Sequence, residues 1–273
     1  MYCYKQISPD LYWIGGSDRR LALFENVYPL TNGVAYNSYV LLDEKIVVFD
    51  TVDKEISARY FDNLAALLKD KSPDFLVVHH MEPDHAACIA EFLLRYPDVT
   101  IVCNAKTQAM IAEFFGAKAA LNVRTVTEQD TLETGRHSFR FVFAPMVHWP
   151  EVMITYEESE KALFSADAFG KFGALDVDES WNYEARRYYF NIVGKYGLPV
   201  SNVLKKAGIT LAAAGAWSNL ADRYHKEKVV DYIGIKTEKK KLEQVTYNLG
   251  DFAIGAGGVL WVLGSMFKKG KEL

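Results

Sequence analysis

The sequence predicts an α/β (α+β) protein in which two β-sheets are flanked by helices. Short apolar runs with strand character recur through the first two thirds of the 273-residue chain. Segments with apolar residues at helical spacing lie between several of these runs, and the pattern becomes helical from residue 183 to 204. An alternation of this kind is typical of sheets that bury one face against each other and the other against helices.

The first elements centre on a hairpin. Residues 11–14 form a short apolar strand, and a longer strand is predicted over residues 35–42. Asp-Glu-Lys at 43–45 is a tight turn into a second apolar strand at 46–49, which together predict a β-hairpin. Residues 57–68 then carry Tyr60, Leu64, Leu67 and Leu68 at helical spacing, and this predicts the first helix.

Strands and helices alternate along the next part of the chain. Residues 75–78 are all apolar and predict a buried strand. Helices are predicted over residues 86–96 and 107–115. The remaining strands are predicted at residues 100–103, 123–126, 139–143, 152–156 and 162–164.

The composition indicates an ordinary globular protein. Apolar residues make up 50% and charged residues 24% of the chain, and the net charge of −4 gives no support for nucleic-acid binding. Three cysteines without a Cys-x-x-Cys pair, and an N-terminus without signal-peptide order, predict a cytoplasmic protein. Residues 252–267 are apolar, but sixteen residues interrupted by four glycines are too few for a bilayer span.

One short run carries most of the chemical information, namely His80-Met81-Glu82-Pro83-Asp84-His85. It begins where the predicted strand at 75–78 ends. Alternate residues of an extended segment point the same way, so His80, Glu82 and Asp84 can converge, and His85 can reach round from the following helix. Two imidazoles and two carboxylates this close together are too many for one small ion held by one segment. The run therefore predicts half of a dinuclear metal site.

Two further residues are candidates for the other half, because each follows a predicted strand at a loop. They are His148 and Asp167. The other side chains have simpler interpretations. His79 should point away from the site as a core residue or a residue behind the ligands, and His137 lies in a polar turn and is expected to be solvated. Trp149 is expected to keep water from the site by packing.

These motifs together resemble the diiron domain of the flavodiiron proteins. The resemblance rests on the run at 80–85, on His-Trp-Pro at 148–150 and on Phe-Ser-Ala-Asp-Ala-Phe-Gly at 164–170. Supporting motifs occur at residues 18–20, 36–39, 49–52 and 184–189, so the similarity covers nearly the whole chain. It implies a metallo-β-lactamase-like αββα sandwich with two irons at one edge.

The resemblance also implies which side chains bind the irons. One iron would be bound by His80, Glu82 and His148, the second by Asp84 and His85, and Asp167 would bridge them. Relatives that bind zinc carry a histidine where this chain has Glu82. Replacing an imidazole by a hard carboxylate favours iron or manganese over zinc.

One family ligand has no direct counterpart. It is a histidine in a Pro-x-His-Gly context, and counting between the matching segments 205–209 and 228–230 places Asn219 at that position. An amide oxygen is a poorer iron ligand than an imidazole, so the second iron should be held more weakly or keep an open position. His225, six residues later, is the alternative ligand.

The end of the chain also departs from the family, whose members continue into an FMN-binding flavodoxin domain. Residues 258–267 resemble the first flavodoxin strand, but Lys268-Lys269-Gly270-Lys271 replaces the loop that holds the FMN phosphate. The predicted organisation is a diiron domain over residues 1–250 and a relic tail over residues 251–273. No FMN is expected to bind.

The resemblance implies a non-haem diiron protein that binds O2, similar to the oxygen-binding diiron proteins of bacterial chemotaxis. Its output would be sensing through a signalling kinase or receptor complex. The alternative is an O2 or NO reductase supplied with electrons by a separate flavodoxin or rubredoxin, and a zinc hydrolase is the least favoured interpretation because of Glu82. A homodimer is expected from the family alone.

Overall fold

The computed structural model describes residues 3–178 and 180–206, and residues 233–234 and 246–247 as backbone. Contacts divide the chain into two units, Met1–Tyr196 and Gly197–Leu273. In the second unit, residues 197–206 are helical, and Ile233–Gly234 pairs antiparallel with Thr246–Tyr247. The predicted boundary at residue 250, Asn219 and His225 all lie outside the described residues.

The first unit contains the elements that position the predicted site. Its strands are β1 (Lys5–Gln6), β2 (Leu11–Trp13), β3 (Gly16–Asp18), β4 (Leu23–Phe24), β5 (Tyr28–Pro29), β6 (Val34–Tyr36), β7 (Tyr39–Leu41), β8 (Val47–Phe49), β9 (Phe75–Val77), β10 (Thr100–Cys103), β11 (Val123–Thr125), β12 (Thr131–Glu133), β13 (Ser138–Phe143), β14 (Met153–Glu157) and β15 (Ala162–Phe164). Its α-helices are α1 (Ser57–Leu68), α2 (Pro83–Ala86), α3 (Ile89–Arg95), α4 (Ala105–Phe115) and α5 (Trp181–Tyr188).

The larger sheet has seven strands in the order β1-β2-β7-β8-β9-β10-β11. Strands β7 and β8 form the predicted antiparallel hairpin, whereas β8, β9, β10 and β11 run parallel. The predicted single strand over residues 35–42 is wrong in detail. Its first part, β6, pairs with β3 in a separate two-stranded sheet, because the chain leaves the ladder at Asn37 and Ser38.

The smaller sheet is antiparallel, in the order β12-β13-β14-β15, and its apolar face packs on the larger sheet. One buried cluster joins the two faces, with Phe49 of β8 stacked on Phe164 of β15 at 4.1 Å between ring centroids. Strand β14 is buried along its whole length. The prediction of two sheets with helices is confirmed, and their shared core brings the ends of strands from both sheets together.

The helices largely follow the sequence pattern. Helix α1 has the predicted bounds and buries Tyr60, Phe61, Leu64 and Leu68. The helix predicted over residues 86–96 is instead two short helices, α2 and α3. After α5 the chain continues as a π-helical turn and a 3-10 turn up to residue 196. Among the described residues, each helix is too short or too polar to cross a lipid bilayer.

Candidate metal centre

The run 80–85 lies where β9 leaves the larger sheet. Val78 still donates to the carbonyl of Val102 at 3.0 Å, so the chain enters the site in a fixed direction. Glu82 is extended, with φ −60° and ψ 145°, and Pro83 begins α2, the first helical position at which proline is favoured. The turn of α2 brings His85 back towards the preceding residues, as the spacing predicts.

The first group of metal-binding side chains combines two histidines and two carboxylates. Nε2 of His148 lies 2.8 Å from Oε2 of Glu82 and 3.4 Å from Nε2 of His80. Oδ2 of Asp167 lies 3.4 Å from the Nε2 atom of each histidine. One atom from each of the four residues lies within 4.8 Å of the others, and all four residues are buried.

The second group consists of Asp84, His85 and Asp167. Nε2 of His85 lies 3.2 Å from Oδ1 of Asp167 and 3.9 Å from Oδ2 of Asp84. Asp167 thus belongs to both groups, with Oδ2 towards the first and Oδ1 towards the second. The six side chains that sequence analysis singled out, drawn from three distant parts of the chain, are brought into one site with a shared carboxylate.

Crowded charges perturb the acid–base properties of the site. Burial works to lower the pKa of His80 and of His148, but their contacts with neighbouring carboxylates outweigh it and raise each pKa to about 9. Burial, with Asp167 nearby, raises the pKa of Asp84 to about 7. Burial also works to raise the pKa of Asp167, but the attraction of His85 holds it well below its usual range. A cation at this site would relieve the repulsion between the carboxylates.

The donor geometry fits a pair of transition-metal ions. Ligand atoms at ~2.1 Å from one ion lie about 3 to 3.5 Å apart. In the first group, the Nε2 atoms lie 3.4 Å from each other and from Oδ2 of Asp167, and His148 lies 2.8 Å from Oε2 of Glu82. Asp84 Oδ1 and Asp167 Oδ2 are buried and accept no hydrogen bond from a described residue. Buried carboxylate oxygens without a donor are costly, so a bound cation is their expected partner.

Two buried carboxylates behind the ligands were not assigned a role from the sequence. Oε1 of Glu151 lies 2.7 Å from Nδ1 of His80, and Oδ2 of Asp50 lies 3.2 Å from Nδ1 of His85. Burial works to raise the pKa of Glu151, but the hydrogen bond from His80 outweighs it and lowers the pKa. Asp50 directly follows β8, and a polar residue at that position was the available signal.

A cavity of about 400 Å3 opens beside the second group. Asp84, His85 and Asp167 line it, together with the aromatic side chains of Tyr36, Tyr39, Phe49, Phe164, Phe169, Trp181 and Tyr188. The first group is screened differently, because Trp149 packs edge-on against His80 at 5.3 Å between ring centroids. A small molecule therefore has a path to the second group through a cavity whose lining is both aromatic and polar.

The structure also places the remaining histidines. His79 is buried behind the site, with Nδ1 2.9 Å from Asp50 and Nε2 2.8 Å from Oγ1 of Thr155, in agreement with its interpretation as a core residue. The expectation that His137 is solvated is wrong. Its side chain is 4% exposed, because Glu157 and Asp10 bind its two ring nitrogens at 2.9 and 3.3 Å.

Comparison with known families places these features in context. The model of the ODP family beta lactamase matches residues 34–194, which is more than half of the chain and includes all six predicted ligands. A second model, of signal peptidase (SPase) II, matches residues 181–267. That match covers less than a third of the chain, contains none of the six and does not show membership.

Curated relatives include two proteins named anaerobic nitric oxide reductase flavorubredoxin. The protein from Vibrio vulnificus is 33% identical over 206 residues, which cover 71% of this chain and 41% of the relative. The protein from Klebsiella pneumoniae is 34% identical over 196 residues, which cover 68% and 40%. The chain thus spans about two fifths of the length of these relatives.

Solved structures with the same fold include the flavodiiron protein from Giardia intestinalis, with a TM-score of 0.71 and 25% identity over 99% of this chain and 60% of that one. Another is rubredoxin oxygen:oxidoreductase from Desulfovibrio gigas, with a TM-score of 0.72 and 25% identity over 96% of this chain and 62% of that one. The chain belongs to the ODP family beta lactamase, and its fold is the metallo-β-lactamase-like core of the flavodiiron proteins.

Proposed function

We propose that the chain is a non-haem diiron protein that binds O2. The observation that carries this proposal is the position of Asp167, whose two carboxylate oxygens face two separate groups of donors. The first group contains His80, His148 and Glu82, the two-histidine, one-carboxylate set typical of non-haem iron. When bound, the two iron ions would supply electrons to a diatomic gas.

The chain's own residues support such a role in three ways. Asp167 holds the two halves in register, and Trp149 shields His80 from solvent. The cavity beside Asp84 and His85 gives a small neutral molecule access to these two side chains. The second group is therefore the half that a gas would reach.

An anaerobic Fe(II) titration followed by exposure to air tests this proposal. Metal analysis should give two irons per chain, and air should change the optical spectrum. Removal of O2 should restore the initial spectrum. An iron-loaded protein whose spectrum does not respond to air would overturn O2 binding, and full occupancy by zinc with esterase activity would favour a hydrolase instead.

A second candidate function is reduction of O2 or NO. It is favoured by the two curated relatives, which are named nitric oxide reductases and are 33% and 34% identical to this chain. Electrons would come from a separate flavodoxin or rubredoxin. Sustained consumption of NO or O2 with such a reduced donor would establish this function, whereas a single binding event without turnover would favour the O2-binding protein.

The signalling role, the absence of FMN and the homodimer remain predictions. Signalling through a kinase or receptor complex follows only if O2 is bound without sustained turnover. Absence of FMN is tested by adding FMN to the purified protein and following flavin fluorescence. Sedimentation of the iron-loaded protein tests the expected homodimer.

A further inference from the structure

We infer that Glu151 and Asp50 are positioning residues, each of which holds the ring of one histidine, so that separate carboxylates control the two halves of the metal centre. The inference rests on the proposed pair of iron ions, and it adds a role for Glu151 and Asp50, which lie behind the ligands. Its physical basis is that a carboxylate bound to one imidazole nitrogen fixes both the tautomer and the direction of the other nitrogen.

Glu151 serves the first half. Its side chain has no exposed surface, and Oε1 accepts from Nδ1 of His80 at 2.7 Å and from the backbone N–H of Met81 at 2.9 Å. Because an ionised carboxylate only accepts, the ring proton must sit on Nδ1. Nε2 of His80 then faces Glu82 and Asp167, each 3.4 Å away, and would offer its lone pair to a metal ion that displaces the proton held there.

Asp50 serves the second half in the same way. Oδ2 accepts from Nδ1 of His85 at 3.2 Å, which leaves Nε2 directed at Asp167. The same carboxylate is itself anchored, since Oδ1 accepts from the backbone of His79 at 2.7 Å and Oδ2 from Nδ1 of His79 at 2.9 Å. Nε2 of His79 lies 2.8 Å from Oγ1 of Thr155 in β14. The hydrogen bonds of the second half therefore extend to the smaller sheet.

The two supports come from different elements. Glu151 lies in the segment that leads into β14, and Asp50 follows β8 in the other sheet. Among the described residues, none hydrogen-bonds to both the Glu151 and the Asp50 carboxylate. Loss of one supporting carboxylate should therefore lower the affinity for one ion by about 10- to 100-fold and leave the affinity for the other ion unchanged.

The test isolates each half before the supports are changed. His85→Ala should leave only the first ion, and His148→Ala only the second. In the His85→Ala chain, Glu151→Gln should weaken the remaining Fe(II) by about 10- to 100-fold, and Asp50→Asn by less than about threefold. The His148→Ala chain should show the reverse. Affinities are measured anaerobically by competition with a chelator.

A matched control separates positioning from loss of stability. Glu157 holds the ring of His137 in a buried pair outside the metal centre, at 2.9 Å from Nδ1. Glu157→Gln should lower the melting temperature and leave both Fe(II) affinities within about threefold. Equal weakening of both ions by Glu151→Gln, or a similar effect of Glu157→Gln, would overturn the inference.

A second measurement does not depend on metal binding or on the folding of the alanine variants. In the metal-free chain, the Nδ1–H protons of His80 and His85 should resonate far downfield, because each donates to a carboxylate. Of these two signals, Glu151→Gln should move only that of His80 and Asp50→Asn only that of His85; Asp50→Asn should also move the Nδ1–H signal of His79, which donates to the same carboxylate. If the chain binds no iron but these shifts occur, the proposed function fails and the positioning roles stand. Unshifted signals would reject the positioning roles.

Discussion

The metal centre and a cluster of side chains around His137 both combine histidine with carboxylates, but they differ in what those side chains can still bind. We call the latter the His137 cluster, comprising Asp10, Asp43, Arg136, His137 and Glu157. Atoms of Asp10, His137 and Glu160 also lie within 4.8 Å of one another. Proximity of histidine and carboxylates therefore does not by itself distinguish a metal site.

The difference lies in whether the donors are already satisfied. In the His137 cluster, both ring nitrogens face carboxylates, and Nη2 of Arg136 lies 2.9 Å from Asp10. In the metal centre, buried oxygens of Asp84 and Asp167 lack a donor among the described residues. Converging side chains whose oxygen atoms accept no hydrogen bond therefore indicate a metal site, whereas side chains that already neutralise one another indicate an ion-pair network.

The largest effect is expected for Asp167→Asn, which removes the charge shared by both groups. Fe(II) stoichiometry should fall from two per chain to one or fewer. Affinity should fall by more than the roughly 100-fold typical of losing a residue behind the ligands. Metal analysis after anaerobic gel filtration checks this, with Asp10→Asn as the matched control that keeps two ions. Two tightly bound ions in Asp167→Asn would remove the distinction between the clusters.

A smaller effect, on stability alone, is expected for His137→Gln. Glu157 is buried and would lose the imidazole that it binds, which should lower the free energy of unfolding by about 3 to 5 kcal/mol. Urea unfolding of the variant and the wild type measures this difference. Iron content should stay at two per chain, and a loss of iron would show that the His137 cluster contributes to the centre.

The pH dependence of that difference is the third prediction. Burial works to lower the pKa of His137, but the hydrogen bonds to Glu157 and Asp10 outweigh it and raise the pKa. The charge of Asp43 adds a smaller attraction, and Arg136 forms ion pairs with both Asp10 and Asp43. A raised pKa stabilises the fold fully below the unfolded value of about 6.5, and this is lost as pH rises through the folded value. The stability gap between wild type and His137→Gln should thus shrink at alkaline pH. A gap that widens there would reverse the assignment.

The smallest effect is expected for Arg136→Gln. The Arg136 side chain is 64% exposed, and exposed ion pairs contribute little because water screens them. Its melting temperature should change less than that of His137→Gln. A larger change would mean that Arg136, and not His137, neutralises the cluster.

Much of the site could be predicted from local sequence because four of its six predicted ligands lie in the single run at residues 80–85. His80 and Glu82 alternate in the extended segment after an apolar strand and join the first group, whereas Asp84 and His85 lie in the first turn of α2 and join the second. The structure brings these residues together as expected, and their binding of iron remains a prediction. His137 could not be placed in this way, because its burial depends on Asp10 and Glu157, which are 127 and 20 residues away along the chain.

The fold class, most strand positions and the residue types of the candidate metal centre follow from local sequence, since periodicity and side-chain chemistry act over a few residues. The division of the strand predicted over residues 35–42, the burial of His137, and the places of Glu151 and Asp50 behind the ligands follow from contacts between distant parts of the chain. His80 and Glu151 are 71 residues apart, and His85 and Asp50 are 35 apart. Such pairs form because two sheets share one core, and that packing is not written in any local pattern.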